Sequence, residues 1–235
     1  MRAHPAFLLL ILAPSCTSTV PIEGEDENVL FSDVRMRWPL SGRRDNADPD
    51  VPRRSFQTTL EVGGMYGRGT SEQTLRAGEV VELESIPFSG PTTLDTDYGL
   101  ALGEINVRFG WDFDNGSHLA CLAGLGFSSL ELEISDGSQV DNDSFFEIGP
   151  VFGFAGGHDF GMAGIRASGK LQFGIPDEGS GVAVYVFDAG GVLRFGRQIS
   201  LGAGWRWVDY KAEQSSGSDI DLRLSGPVVT LTFSS

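Results

Sequence analysis

The chain has 235 residues, with 17 Lys and Arg against 32 Asp and Glu, a formal net charge of -15, 32 Gly and 2 Cys. This acidity argues against binding along a nucleic-acid backbone, which needs a basic face, and two cysteines make no disulfide framework. The length suits one all-β domain or two small ones, and glycine this common without a collagen period suits a small closed sheet with a crowded interior and sharp bends.

Residues 1–16 have the form of an export signal. Arg2 supplies the positive start and Ala6 to Ala13 a short apolar core. That core is too short for a spanning helix, which needs about 20 residues, and no later segment is longer. Cys16 follows Ala13-Pro14-Ser15, which resembles the bacterial lipobox, with Ala13 where an aliphatic residue is usual. Cys16 is therefore the candidate lipidation site. Cys121 falls inside a predicted strand, as a small packed or lipid-facing residue.

Residues 17–54 are acidic at first and then rich in Pro. Val29 to Trp38 shows no clean period, so the region is expected to be an irregular periplasmic linker. Arg43, Arg44, Arg53 and Arg54 belong to its solvated end.

From residue 55 to 235 the apolar residues recur on alternate positions, the signature of strands. Strand 1 is expected near Phe56 to Arg68, with Leu60 and Val62 on one face and Glu61 on the other. A long acidic loop precedes strand 2, near Tyr98 to Phe113, where Ile105, Val107, Phe109, Trp111 and Phe113 alternate with Glu104 and Arg108. Leu100 and Leu102 have the wrong parity for that face, so a bulge is expected near Gly103. Asp114-Asn115-Gly116 marks a tight turn.

Strand 3 is expected over Ser117 to Ile134, with Leu119, Cys121, Leu125 and Phe127 in one row. Its apolar parity switches to Leu130, Leu132 and Ile134 beyond Ser128, and an acidic loop follows over Ser135 to Asp143. Strand 4 runs from Ser144 to Gly157, with Phe146, Ile148, Phe152 and Phe154 opposite Glu147; Pro150 cannot donate to a ladder. After a turn near His158-Asp159, strand 5 alternates Ile165 and Leu171 with Arg166 and Lys170.

Gly181 to Lys211 is a hairpin of strands 6 and 7. Tyr185, Phe187, Phe195, Trp205 and Trp207 lie in rows free of charge, whereas Asp188, Arg194 and Arg206 lie in the opposite rows. Strand 8 covers Asp219 to Phe233, with Arg223 in its polar row and Val229, Leu231 and Phe233 in the apolar one.

A soluble sheet hides its apolar row, while a membrane barrel shows that row to lipid and keeps its charges inside. The expectation is an eight-stranded antiparallel up-and-down transmembrane β-barrel, with short periplasmic turns and longer outer loops. The interior polar network comprises Glu61, Glu104, Arg108, Glu147, Arg166, Lys170, Asp188, Arg194, Arg206 and Arg223. Charges packed in so narrow a lumen must pair. Aromatic girdles are expected from Phe109, Trp111, Phe113, Phe152, Phe154, Tyr185, Phe187, Phe195, Trp205, Trp207 and Phe233.

The arrangement, with the closing row Val229, Leu231 and Phe233, resembles the small outer-membrane β-barrel superfamily that includes the transmembrane domain of OmpA, OmpX and the opacity-type proteins. Here Ser234 and Ser235 follow the aromatic on which such chains usually finish. The resemblance implies the bacterial outer membrane, contact with its lipid and lipopolysaccharide, delivery by the barrel-assembly machinery, and a structural or surface-interaction role. Narrow-pore transport and a soluble lipocalin-like ligand-binding barrel are the alternatives.

No catalytic centre, cofactor or metal site is expected. The histidines are His4, His118 and His158. His4 lies in the export signal, and Ser117-His118 and His158-Asp159 fall at expected turns, where spacing brings no inward Ser and His together. The acidic loops lack the spacing of a calcium site.

Overall fold

The computed structural model describes residues 18–26, 29–44, 54–83, 86–174, 181–196, 198–213 and 218–235. The export signal and Cys16 lie outside them. Among the described residues the fold is all-β, 86% strand and without a helix. Its strands are β1 (Ser18–Thr19), β2 (Ile22–Asp26), β3 (Leu30–Arg44), β4 (Arg54–Leu75), β5 (Glu79–Glu82), β6 (Pro87–Ser89), β7 (Thr92–Phe113), β8 (Ser117–Ser135), β9 (Val140–Phe160), β10 (Ala163–Phe173), β11 (Gly181–Phe195), β12 (Ile199–Glu213) and β13 (Ile220–Ser234).

Nine of these, β3, β4 and β7 to β13, pair into a closed ring rather than the expected eight. The extra strand is β3, in the segment expected to be an irregular linker. It pairs antiparallel with β4 and parallel with the last strand, from Val228 opposite Phe31 to Ser234 opposite Arg37. β2 prolongs this seam along the same edge, with Ile220 opposite Ile22. An odd ring leaves the chain's two ends at opposite ends of the ring. β1 pairs with β5 in the long loop between β4 and β7, while Ser235 bonds to the carbonyl of Arg37 at the end carrying the tight turns.

The ring closes with a stagger. Stepping from Arg37 through its successive partners reaches Leu222 on β13, twelve residues short of Ser234, the direct partner of Arg37. At about 3.3 Å per residue and about 4.8 Å between strands, that stagger tilts the strands by about 42°, as closure requires. Glycine lets neighbouring backbones approach at the bends: a Cβ on Gly190 would lie 2.4 Å from the carbonyl oxygen of Ala203, and one on its cross-strand partner Gly204 would lie 2.3 Å from that of Ala189.

The strands differ in height. β4 and β7 have 22 residues each and β10 has 11, so one side of the ring rises above the other at the loop end. The connections between β7 and β8, β9 and β10, and β11 and β12, all at the turn end, are tight. Gly116 (φ 83°) closes the turn expected at Asp114-Asn115-Gly116, and Gly161 (φ 75°) closes that between β9 and β10. His158 and Asp159, expected in the second turn, lie inside β9. The loop expected over residues 135–143 shrinks to 136–139, because β8 and β9 continue as a hairpin above the ring.

Side chains keep one parity along each strand of the ring except β3, whose register shifts between Pro39 and Ser41. Trp205 is 38% exposed, Arg206 1% and Trp207 45%, so the aromatic row faces out and the guanidinium in. The same holds for Phe109, Trp111, Phe152, Phe154, Tyr185, Phe187, Phe195 and Phe233, all outward and exposed, with Phe113 half-buried. The bulge expected near Gly103 is absent: β7 pairs with β4 and β8 there without a register shift. Leu100, Leu102, Leu130, Leu132 and Ile134 break the outward apolar pattern for another reason. At the loop end the inside is an apolar core and the outside is polar, with Asp95, Asp97, Glu131 and Glu133 exposed. The hydrophobic face crosses from outside to inside partway up each long strand.

Candidate functional site

The lumen has three levels, each set by inward positions of alternating strands. At the loop end, Leu100, Leu130, Val184, Tyr210 and Leu222 pack together. Ile22 and Val29 from the N-terminal segment and Val81, Leu83 and Phe88 from and beside the β5–β6 hairpin join the same core. This end is filled by side chains.

Below lies a buried ion network. Arg35 Nη1 donates to Glu61 Oε1 (2.8 Å) and Glu104 Oε1 (2.6 Å), and its Nη2 donates to Asp33 Oδ2 (2.7 Å). Arg37 Nε donates to the other oxygen of Glu61 at 2.6 Å. Lys170 pairs with Glu104, and Arg206 bridges Asp188 to Asp33, the latter at 2.5 Å. The Arg206 guanidinium also lies 5.9 Å from the centre of the Phe31 ring. Each ion meets an opposite charge, and all but the partly exposed Arg37 and Asp188 are largely removed from water, the condition under which such a cluster is tolerated.

At the turn end a cavity of about 460 Å³ remains, lined among others by Arg37, Arg108, Arg166, Ser168, Arg194 and Thr232 and bordered at its mouth by Gly196, Gln198 and Ser234. Asp159 Oδ1 accepts from Arg166 Nη2 (2.5 Å), and its Oδ2 pairs with Arg194 Nη2 (2.6 Å).

Of the residues expected in the interior network, Glu61, Glu104, Lys170, Asp188 and Arg206 are joined in it, while Arg166 and Arg194 form the separate group around Asp159. Arg108 lines the cavity, and Glu147 is half-buried at the level of Tyr210. Arg223 is a correction: it lies on the outer face with its side chain 63% exposed, beside Asp221, because at its level the inward row of β13 is Leu222 and Leu224.

Asp33, Arg35 and Arg37 were not anticipated. Their signal was present, since Val34, Met36 and Trp38 alternate with them and are exposed, but three charges in five positions read as solvated chain. Asp159 was missed because it stands next to His158 and close to a turn.

Two other groups bear on chemistry. Ser117 Oγ lies 3.0 Å from His158 Nδ1, a pairing across β8 and β9 that spacing did not reveal. Phe160 lies against the His158 ring. Among the described residues no three His, Cys, Asp or Glu side chains are placed to hold a metal, and no helix is long and apolar enough to cross a membrane. Comparison of the chain with family models, curated proteins and solved structures finds no match in any of the three.

Proposed function

We propose that the chain is a bacterial outer-membrane β-barrel with a structural or surface-interaction role and a polar, largely filled interior. The observation that carries this reading is the crossing of the hydrophobic face. Around the turn-side part of the ring, Ile105, Leu119, Phe154, Ile165, Leu193 and Trp207 face out over a charged lumen; above it, Asp97, Glu131 and Glu133 face out over an apolar core. A protein in water has no reason to exchange its faces along one strand. A protein whose lower part meets hydrocarbon and whose upper part meets water does. A soluble barrel of lipocalin type would carry the reverse arrangement beside its ligand cavity.

The outward apolar run on β8, from Leu119 to Phe127, and that on β9, from Phe146 to Phe154, match the 9–11 residues, roughly, that a tilted strand needs to cross a bilayer. In this reading the turn end faces the periplasm and the filled loop end faces outward. The segment before β3 then lies outside, not in the periplasm. The outward row Val229, Leu231 and Phe233 is offered to the assembly machinery, and the acidic upper rim meets lipopolysaccharide or a surface partner. No catalytic role and no steady conductance are part of the proposal, since the loop-end core fills the lumen.

The test is partition. Purified chain refolded with detergent should run as a compact band that shifts on heating. Folded, monodisperse protein in plain buffer would overturn the reading.

A further inference from the structure

We propose that the turn-end cavity is a binding site for a small oxyanion, a phosphate or carboxylate group held by Arg108, Arg37, Arg166 and Arg194. The first ground is space. So narrow a ring is expected to be filled by its own side chains, yet about 460 Å³ stays open at this one end.

The second ground is charge. The cavity is lined by six cations, Arg35, Arg37, Arg108, Arg166, Lys170 and Arg194, and by three anions, Asp33, Glu61 and Asp188. Adding the ion-paired neighbours Glu104, Asp159 and Arg206 leaves seven cations facing five carboxylates. A chain of net charge -15 thus keeps a positive balance around this cavity.

The third ground is Arg108. Among the described residues nothing reaches it by hydrogen bond or ion pair; Glu61 and Asp112 act on it only through space, and Arg37 and Arg166 repel it. Guanidinium groups that crowd one another while one lacks a carboxylate form a cradle for an anion with two or more oxygens, to which they donate in forked pairs. Arg166 and Arg194 share the single carboxylate of Asp159, and each has five donors, so both keep some for a ligand.

A free anion and the headgroup of a phosphorylated lipid would present the same chemistry, so both are probed. Protein refolded in zwitterionic detergent is titrated with inorganic phosphate and, separately, with a short-chain phosphatidic acid, and binding is followed by calorimetry and phosphorus NMR. Saturable one-to-one binding of either probe is expected, weakened about tenfold or more in Arg108→Gln and in Arg194→Gln and unchanged in Arg223→Gln on the outer face. Arg108→Gln removes no ion pair, so it should fold, which the heat-shifted band checks.

Binding of phosphate alone would assign a free anion, and binding of phosphatidic acid alone a lipid headgroup. No saturable binding of either probe, or equal binding in wild type and both cavity variants, would overturn the proposal. The site is defined by the lumen alone: a chain that binds phosphate yet folds in plain buffer would sink the membrane reading and leave this one standing.

Discussion

Asp188 on β11 and Arg206 on β12 are direct cross-strand partners, both turned inward, and the guanidinium engages both carboxylate oxygens, the Nη2 to Oδ2 bond at 2.9 Å. The same Nη2 reaches Asp33 on β3, across the lumen, at 2.5 Å. One side chain thereby ties the middle of the hairpin to the strand that completes the ring.

Replacing Arg206 by Met leaves Asp33 and Asp188 short of charge in a buried setting. The expected loss is about 3–5 kcal/mol, the usual cost of removing one partner from a buried pair. Urea unfolding from lipid vesicles measures it. Adding Asp188→Leu to the same chain should recover part of the loss, since an unpaired carboxylate goes with it.

The outward band is tested by charge. Leu125 is 60% exposed on that face, so Leu125→Arg in a bilayer should cost about 2–4 kcal/mol near the midplane. Glu131→Arg, on the polar part of the same strand, should cost little. Equal effects at the two positions, measured by refolding into vesicles, would count against lipid contact at Leu125.

The loop-end core is tested by truncation. Leu130 is 0% exposed and packs in the apolar cluster. Leu130→Ala should destabilise by about 2–5 kcal/mol, through lost transfer energy and the cavity left behind.

The proposed orientation, with the turn end toward the periplasm, is tested by labelling the two ends of the ring. In a Cys121→Ala background, Glu133→Cys should react with an impermeant thiol reagent on intact cells. Gln198→Cys should react only after the outer membrane is opened.

Asp136 caps the β8–β9 hairpin. The backbone N–H groups of Gln139 and Ser138 and the Ser138 hydroxyl all donate to its Oδ1 at 2.8 Å, holding its carboxyl below the usual carboxylate range. A lowered folded pKa means that its contribution is present above the ordinary value, about 3.9, and is lost as pH falls through the folded one. NMR titration should show Asp136 protonating below the ordinary value of about 3.9, and Ser138→Ala, which removes one of its three donors, should move it back toward that value.

The rows of β7 to β12 were legible because a pleated strand imposes a period of two on any sequence that must serve two environments. Ile165 against Arg166, or Trp205 and Trp207 against Arg206, needed no partner to be read. β3 was lost for a physical reason: Asp33, Arg35 and Arg37 look like solvated chain until Glu61 and Glu104 are placed beside them. The bulge expected near Gly103 was misread because it assumed one environment along the whole strand.

Alternation within each strand, and the placing of Glu61, Glu104 and Asp188 on the face opposite the aromatics, follow from the order of residues alone, since each depends only on neighbours two positions apart. Ring closure did not follow from it. That β3 joins the last strand in parallel, that the lumen turns from charged to apolar, and that Arg108 has no carboxylate partner among the described residues depend on contacts between residues far apart in the chain. No local period encodes which of two faces will meet which medium once the sheet has closed.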